Sequence, residues 1–402
     1  MIHTVEEARA VSGQLISWRR DLHRFPETDL RLPRTKAYVT RVLQELGVSF
    51  REYETHDGIT AVIGRPGGRV IGIRGDMDGL PVREETGLPY ASENDCMHAC
   101  GHDGHTAVLL GLAKILKEHE AELPGQVKLI FQPGEENLIG AKAMVAEGAL
   151  KDPAVDRLYT MHLGSIGGIA RTGDILVNRS NVFLASECTD ILVYGRGGHA
   201  ASPHKAVDPV PIAAEIITAL QTIISRELQP GTVALISVTS VETPTHTYNI
   251  IPDHVRLWTG IRAKETRVQE FLFRRAEELA KGIAESHGGR AEFRRVSGAP
   301  AVVNDAEAVA QFLSSAGKLL PEERIHVIDT VNMGADDAAY FLQEVPGCYF
   351  YFCNALPWDD GVIYPHHNAK FMMDDSVLYQ AAALLLQAAL DDLGAPSEGE
   401  GL

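Results

Sequence analysis

Positive charge is what this chain lacks most. Against 54 Asp and Glu stand only 37 Lys and Arg, a formal net charge of -17 at pH 7 over 402 residues. A field of that sign repels phosphate backbones and anionic headgroups, so nucleic acid and membrane surfaces are not expected partners. No apolar run reaches the length of a bilayer-crossing helix. Residues 1–20 lack the basic segment, apolar stretch and small-residue cleavage site of a secretion signal. Cysteine is scarce and odd in number, with Cys96, Cys100, Cys188, Cys348 and Cys353 alone. That argues against a disulfide framework and for a reducing compartment, the cytoplasm being the expected location. Fixed-period repeats are absent as well.

What is present suits a globular chain of two or three domains, with 45% hydrophobic and 23% charged residues. Val11, Leu15, Trp18 and Leu22 recur at helical spacing, which predicts one helix over Val5 to Arg24, stopped by Pro26. A second helix is predicted from Arg34 to Leu46. Strands at Val70 to Arg74, Val127 to Phe131 and Leu158 to Met161 alternate with a helix at Ala107 to Leu116. That rhythm implies an α/β layered domain, whose reactive groups gather past the carboxyl ends of the strands. From Ser186 the order becomes strand, helix, two strands, helix, strand, ending at Arg290 to Arg295, which resembles a ferredoxin-like α+β unit. The first rhythm returns after Pro300, with a helix at Ala306 to Leu319 and strands at Ile325 to Ile328 and Cys348 to Phe352. The expected organisation is therefore a discontinuous α/β domain, 1–185 and 298–402, interrupted by an inserted domain, 186–297. The acidic, Gly-containing tail after Leu393 is expected to be disordered.

The densest chemistry lies in Cys96-Met97-His98-Ala99-Cys100-Gly101-His102-Asp103-Gly104-His105. One isolated His is better read as a satisfied core residue. Three His and two Cys within ten residues instead offer the thiolate and imidazole donors that suit Zn and related divalent ions. Small Ala99, Gly101 and Gly104 would let a loop close around an ion. Gln132-Pro133-Gly134-Glu135-Glu136 follows an apolar strand and carries adjacent carboxylates, one able to bind metal while its neighbour moves protons. Met161-His162 ends another strand, and Tyr364-Pro365-His366-His367-Asn368 adds two more imidazoles. Arg74-Gly75-Asp76-Met77-Asp78 reads either as a salt-bridged strand end or as a group orienting a ligand. Gly195-Arg196-Gly197-Gly198-His199 presents a histidine on a glycine-rich turn, too short and too poor in basic residues for a phosphate loop.

Together these motifs resemble the dinuclear-metal aminoacylase and carboxypeptidase superfamily, in the branch of hippurate hydrolases, auxin-conjugate hydrolases and N-acetyldiaminopimelate deacetylases. The match spans nearly the whole chain. It rests on Asp76-Met77-Asp78-Gly79-Leu80-Pro81, Met97 to His105, Gln132 to Glu136, Gly140-Ala141-Lys142, Gly198-His199, and His367 through Phe371. The resemblance implies a zinc-peptidase-like α/β/α catalytic domain with the insert serving as lid and dimerisation domain. It implies Cys100, His102, Glu136, His162 and His367 as ligands of two divalent ions (Mn, Zn, Co or Ni). His367 is chosen over His366 because the last ligand of the family stands four residues before an aromatic, here Phe371. Glu135 becomes the general base and acid, and Asp78 a group supporting a ligand. His199 becomes the oxyanion donor, often across a dimer interface, while Asn249, Arg262 and Gly334 border the substrate. A homodimer or homotetramer is expected on the same ground.

Three features depart from the family pattern: Gly134 stands where Ala is usual, Asp336-Asp337-Ala338 where an acidic residue, Asp and Phe are usual, and Leu163 to Gly173 is longer. The expected activity is metal-dependent hydrolysis of N-acyl amino acids with acetyl, benzoyl or aryl-acyl groups. A metallo-dipeptidase or carboxypeptidase would use the same residues. A non-catalytic metal-binding scaffold, or a structural zinc protein with one closed four-ligand site, is the reading from another class.

Overall fold

The computed structural model describes residues 2–164, 171–394 and 397–398, so most of the long stretch after Leu163 lies outside the described residues. Two compact units emerge. One comprises Met1–Val182, Val302–Thr330 and Asp336–Leu402; the other comprises Phe183–Ala301 and Val331–Ala335. The expected bounds of the insert were 186–297, without the short return at 331–335.

An eight-stranded sheet organises the first unit. Its centre is four parallel strands in the order Gln126–Gln132, Val70–Asp76, Arg157–Gly164, Gly347–Cys353, flanked by Ile59–Gly64 on one side and Ile175–Asn178 on the other, each antiparallel to its inner neighbour. Successive side chains on a strand point to opposite faces, and the sequence uses both. Ile71, Ile73, Val127, Leu129, Phe131, Tyr159, Met161, Leu163, Phe350 and Phe352 share one core with the helices His102–Glu118 and Leu378–Leu393. Ile130 and Leu158 turn the other way and meet Ala141, Met144 and Phe341. Burying each such large side chain is worth about 1.5–3 kcal/mol, which fixes the register of every strand that carries a site residue at its end.

Where one helix was predicted over Val5 to Arg24, there are two, Thr4–Ala10 and Ser12–His23, broken at Val11. Ser12 and Gly13, both poorer helix formers than Ala, begin the second. The described part of the tail after Leu393 includes Ser397–Glu398, whose backbone pairs in parallel with Ile2–His3.

The second unit is a four-stranded antiparallel sheet in the order Ala234–Glu242, His254–Ala263, Ala185–Tyr194, Arg290–Ala299. With helices Pro209–Thr222 and Thr266–Ser286 this is the ferredoxin-like arrangement. Ile191, Val193, Val255, Leu257 and Ile261 alternate inward and meet Ile212, Ile216, Leu220, Leu272, Ala276 and Ala280 from the helices. Asp208 caps the first helix by accepting from the Val210 N–H, with Pro209 at its first position. Among the described residues no helix is long and apolar enough to cross a membrane.

Candidate metal centre

Four chain segments converge past the carboxyl ends of the parallel strands. The strand Val70–Asp76 delivers Asp76 and, just beyond it, Asp78. The strand Gln126–Gln132 runs into Gly134, whose φ of 67° turns the chain so that Glu135 and Glu136 follow. Glycine enters that left-handed region freely and Ala does not, so Gly134 suits this turn. His162 lies within Arg157–Gly164 on the face opposite Met161 and Leu163. The helix expected from Ala107 begins earlier: His102 to His105 form the first turn of the helix His102–Glu118, entered through Gly101 at φ 87°. That turn projects His102 towards the carboxylates and leaves Cys100 just before it.

The donor atoms of Cys100, His102 and His162 lie within 4.8 Å of one another, and so do those of Cys100, Glu136 and His367. Cys100 is common to both groups. Its Sγ is 3.5 Å from His162 Nε2, while His367 Nε2 is 3.3 Å from Glu136 Oε2. His102, Glu135 and Glu136 form a third group within the same limit. Backbone carbonyls fix two tautomers: His102 Nδ1–H donates to Asp78 O at 2.9 Å and His162 Nδ1–H to Leu163 O at 2.8 Å. In its neutral form each ring therefore carries its lone pair on Nε2, and at His162 that nitrogen faces Cys100. Of the adjacent histidines, His367 joins the donor group, whereas His366 Nε2–H donates to Leu163 O at 2.9 Å.

Whether these residues suit a metal is tested by what they leave unpaired. His102 Nε2 and Glu136 Oε1 are buried with no hydrogen-bond partner among the described residues. Buried polar atoms are normally satisfied, and leaving one unmade costs about 1–3 kcal/mol. A divalent cation would use both lone pairs, and a set of one thiol, three imidazoles and a carboxylate matches its preferences. Proton affinities agree. Burial, with Glu136 and Glu135 nearby, pushes the Cys100 thiol up, and burial raises Glu136 to about 7. Burial opposes charge on His102, but Asp76, Asp78 and Glu136 prevail and lift it to about 10. A cation at this place would displace those protons. Glu135 is pushed well above the usual carboxylate range by burial, and further by Asp336, Glu136, Asp337 and Asp76.

Behind Glu135 lies a second buried network that sequence reading left open. Arg74 Nη1 pairs with Asp76 Oδ2 at 2.9 Å, Nη2 with Asp336 Oδ1 at 3.2 Å, and Nε donates to Gln132 Oε1 at 2.8 Å. Arg74 was weighed between a salt-bridged strand end and a ligand-orienting group; its partners are carboxylates of the site's own border. Asp78 Oδ2 accepts from the Glu136 N–H at 3.1 Å, so Asp78 touches both the His102 ring, through its carbonyl, and the Glu136 backbone. His105 was passed over, and its Nδ1–H donates to Asp76. Only its i+3 spacing from His102 signalled that the two rings share a helix face.

The remaining candidates belong to the second unit and are described within it. His199 lies on an exposed two-residue strand, Gly198–His199, paired with Ile250–Ile251. Its Nδ1 accepts from the Ala201 N–H at 3.0 Å, and Asn249 O accepts from the Ala200 N–H at 3.0 Å. Arg262 sits on His254–Ala263, its Nη1 buried without a hydrogen-bond partner among the described residues. The Gly334 N–H donates to Asn332 Oδ1 at 2.9 Å.

The geometry is matched by kinship. Residues 72–391 match the model of peptidase family M20/M25/M40. The chain belongs to this family. It is 35% identical over 370 residues to an N-acetyldiaminopimelate deacetylase of Lactococcus lactis subsp. cremoris, covering 90% of this chain and 94% of that one. It is 34% identical over 385 residues to an N-acetyl-L-cysteine deacetylase of Bacillus subtilis, covering 94% and 87%. Among solved structures, the Bacillus subtilis YXEP protein, a dinuclear metal binding peptidase from the M20 family, superposes with a TM-score of 0.77 at 29% identity, covering 96% of this chain and 99% of that one.

Proposed function

We propose that this M20-family chain is a metal-dependent amidohydrolase that cleaves N-acyl amino acids to an acid and a free amino acid, using two divalent ions. The observation that carries the reading is the pair of donor groups sharing Cys100, with the buried Glu135 carboxylate beside them. Cys100, His102, Glu136, His162 and His367 hold the ions. When bound, these supply a polarised scissile carbonyl and a water of lowered pKa.

The chain's own residues do the rest. Glu135, held with a high proton affinity, takes the proton of the attacking water and returns it to the leaving amine. Asp78 positions His102 and the Glu136 backbone. His199 receives the Ala201 N–H on Nδ1, so its neutral ring carries the proton on Nε2, a donor suited to the developing oxyanion. Asn249 supports that turn through its carbonyl. Arg262 supplies the guanidinium for the substrate carboxylate, and Gly334 leaves room beside it. Relatives that deacetylate amino acids support the substrate class. The thiolate favours softer ions among Mn, Zn, Co and Ni. Residence in the cytoplasm and assembly through the second unit as a homodimer or homotetramer complete the reading.

The test is amino acid release from N-acetyl, N-benzoyl and indoleacetyl amino acids and from dipeptides, on protein reloaded in turn with each of the four metals. Metal-dependent release from the acyl substrates is expected. Release from dipeptides alone would replace this reading with a peptidase, and two bound ions with no release would replace it with a scaffold.

A further inference from the structure

Three imidazoles of the first unit meet on the backbone of a single residue, Leu163. Leu163 O accepts from His162 Nδ1–H at 2.8 Å and from His366 Nε2–H at 2.9 Å, using both lone pairs of the carbonyl. The N–H of the same residue donates to His105 Nε2 at 2.9 Å. His105 in turn donates to Asp76, which pairs with Arg74. The chain leaves space for this. Gly164, at φ 116°, has no side chain, and a Cβ there would come within 2.1 Å of His366 Nε2. Asn354 fastens the peptide that carries this carbonyl by accepting from its N–H, that of Gly164, at 2.7 Å. The His366 ring is held between an edge contact with His162 at 5.0 Å and the Phe371 ring at 4.9 Å.

We infer that His366 is a positioning residue: it holds the Leu163 carbonyl where His162 must donate to it, and so aims His162 Nε2 at the metal. The inference rests on the reading of His162 as a ligand. His366 and His367 then divide the work of one dipeptide, His367 facing Glu136 and His366 acting through a peptide bond on a ligand from another strand. The Asn354 oxygen on the N–H of the same peptide polarises that carbonyl and strengthens the bonds it accepts. Without His366, the carbonyl and the His162 ring gain freedom to turn together. Loss of such an outer partner weakens metal binding by about 10–100-fold.

The experiment is a Co2+ titration of metal-stripped protein, following the number of ions bound and the thiolate-to-cobalt absorption of Cys100. Wild type is expected to take two ions. His366→Ala should still take two, one of them about 10–100-fold more weakly. His366→Gln, whose amide N–H reaches towards the same carbonyl, should recover most of that affinity. Gly164→Ala displaces the His366 ring without altering any imidazole and should reproduce the loss, which keeps the test independent if the first variant folds poorly. Unchanged cobalt affinity in His366→Ala and Gly164→Ala would overturn the inference, as would a Gln variant no better than Ala. A drop to one ion at saturation in both His366 variants would make His366 a ligand and overturn it too. If wild type itself shows no thiolate-to-cobalt band, the ligand reading fails instead, and the two failures are distinct.

Discussion

Two buried polar clusters stand side by side in the first unit, and by proximity alone both are candidate metal sites. The oxygens of Glu135, Asp336 and Asp337 lie within 4.8 Å of one another, as do the donors around Cys100. Their accounts differ. Asp336 Oδ1 accepts from Arg74 and from the Ala338 N–H at 2.8 Å, and Oδ2 from the Tyr349 hydroxyl at 2.8 Å. Asp337 Oδ1 accepts from Gln132 at 2.6 Å, and Oδ2 from the Ala141 N–H at 2.8 Å. Every carboxylate oxygen of Asp336 and Asp337 is spoken for, and Arg74 meets their charge. Around Cys100, His102 Nε2 and Glu136 Oε1 have no hydrogen-bond partner among the described residues. Unspent lone pairs, more than closeness of acidic groups, mark the place for a cation.

Substitutions should separate the two clusters. The largest effect is expected from Cys100→Ser, which removes the donor common to both groups while keeping a small neutral side chain in its place. Activity should fall to background and metal should be lost. Wild type stripped by chelator should melt lower than its loaded form, since a ligand bound only to the folded state stabilises it by mass action. Cys100→Ser should show no such difference. A variant that keeps two ions would remove Cys100 from the centre.

Glu135→Gln touches the border between the clusters. It should keep both ions and the fold while turnover drops about 10²–10⁴-fold, the usual contribution of a proton-transfer group. Metal analysis and turnover on one preparation decide it; an unchanged rate would take the proton away from Glu135.

Arg74→Met acts on the satisfied cluster and should damage stability rather than metal chemistry directly. It leaves Asp76, Asp336 and Asp337 without their buried cation, a loss of roughly 3–5 kcal/mol. Denaturant unfolding of the chelated protein reads this out. A loss below about 1 kcal/mol would show that Arg74 neutralises little, and the contrast between the clusters would fade.

The contrast also explains what was legible beforehand. Patterns carried by near neighbours survive translation into structure: the helix Ala306–Leu319 and the strand Ile325–Ile328 lie at the residues the periodicity marks. The ferredoxin-like order follows from element lengths and alternation. Donor types at strand ends were visible because each motif is contiguous. The Arg74 pairing with Asp336 was not, because that partner is 262 residues away along the chain and nothing in local spacing pairs the two. The same applies to His105, whose acceptor role depends on where Leu163 arrives. Which lone pairs are spent is a property of the folded chain: His366 Nε2–H donates to Leu163 O while His367 stands beside Glu136, a difference that spacing does not carry.

His56 offers the smallest and most selective check. Like His102 it is fully buried, but its Nδ1 accepts from the Gly58 N–H at 3.1 Å and its ring stacks on Tyr53 at 4.7 Å. Burial holds its pKa below 6.5, with Glu147 opposing the shift less strongly. Protonating Nδ1 would also turn its acceptor into a donor facing Gly58. The unfolded chain binds that proton near pH 6.5, the folded chain only at lower pH, so between the two the unfolded state holds more protons. The His56 contribution is therefore present above about pH 6.5 and lost as pH falls towards the folded pKa. His56→Asn, whose amide oxygen can still accept from Gly58, should flatten the stability of the chelated protein over that window and leave metal content untouched. An unchanged slope would place the acid sensitivity elsewhere. A loss of metal would break the distinction itself, since a histidine whose lone pair is already used has none to give to an ion.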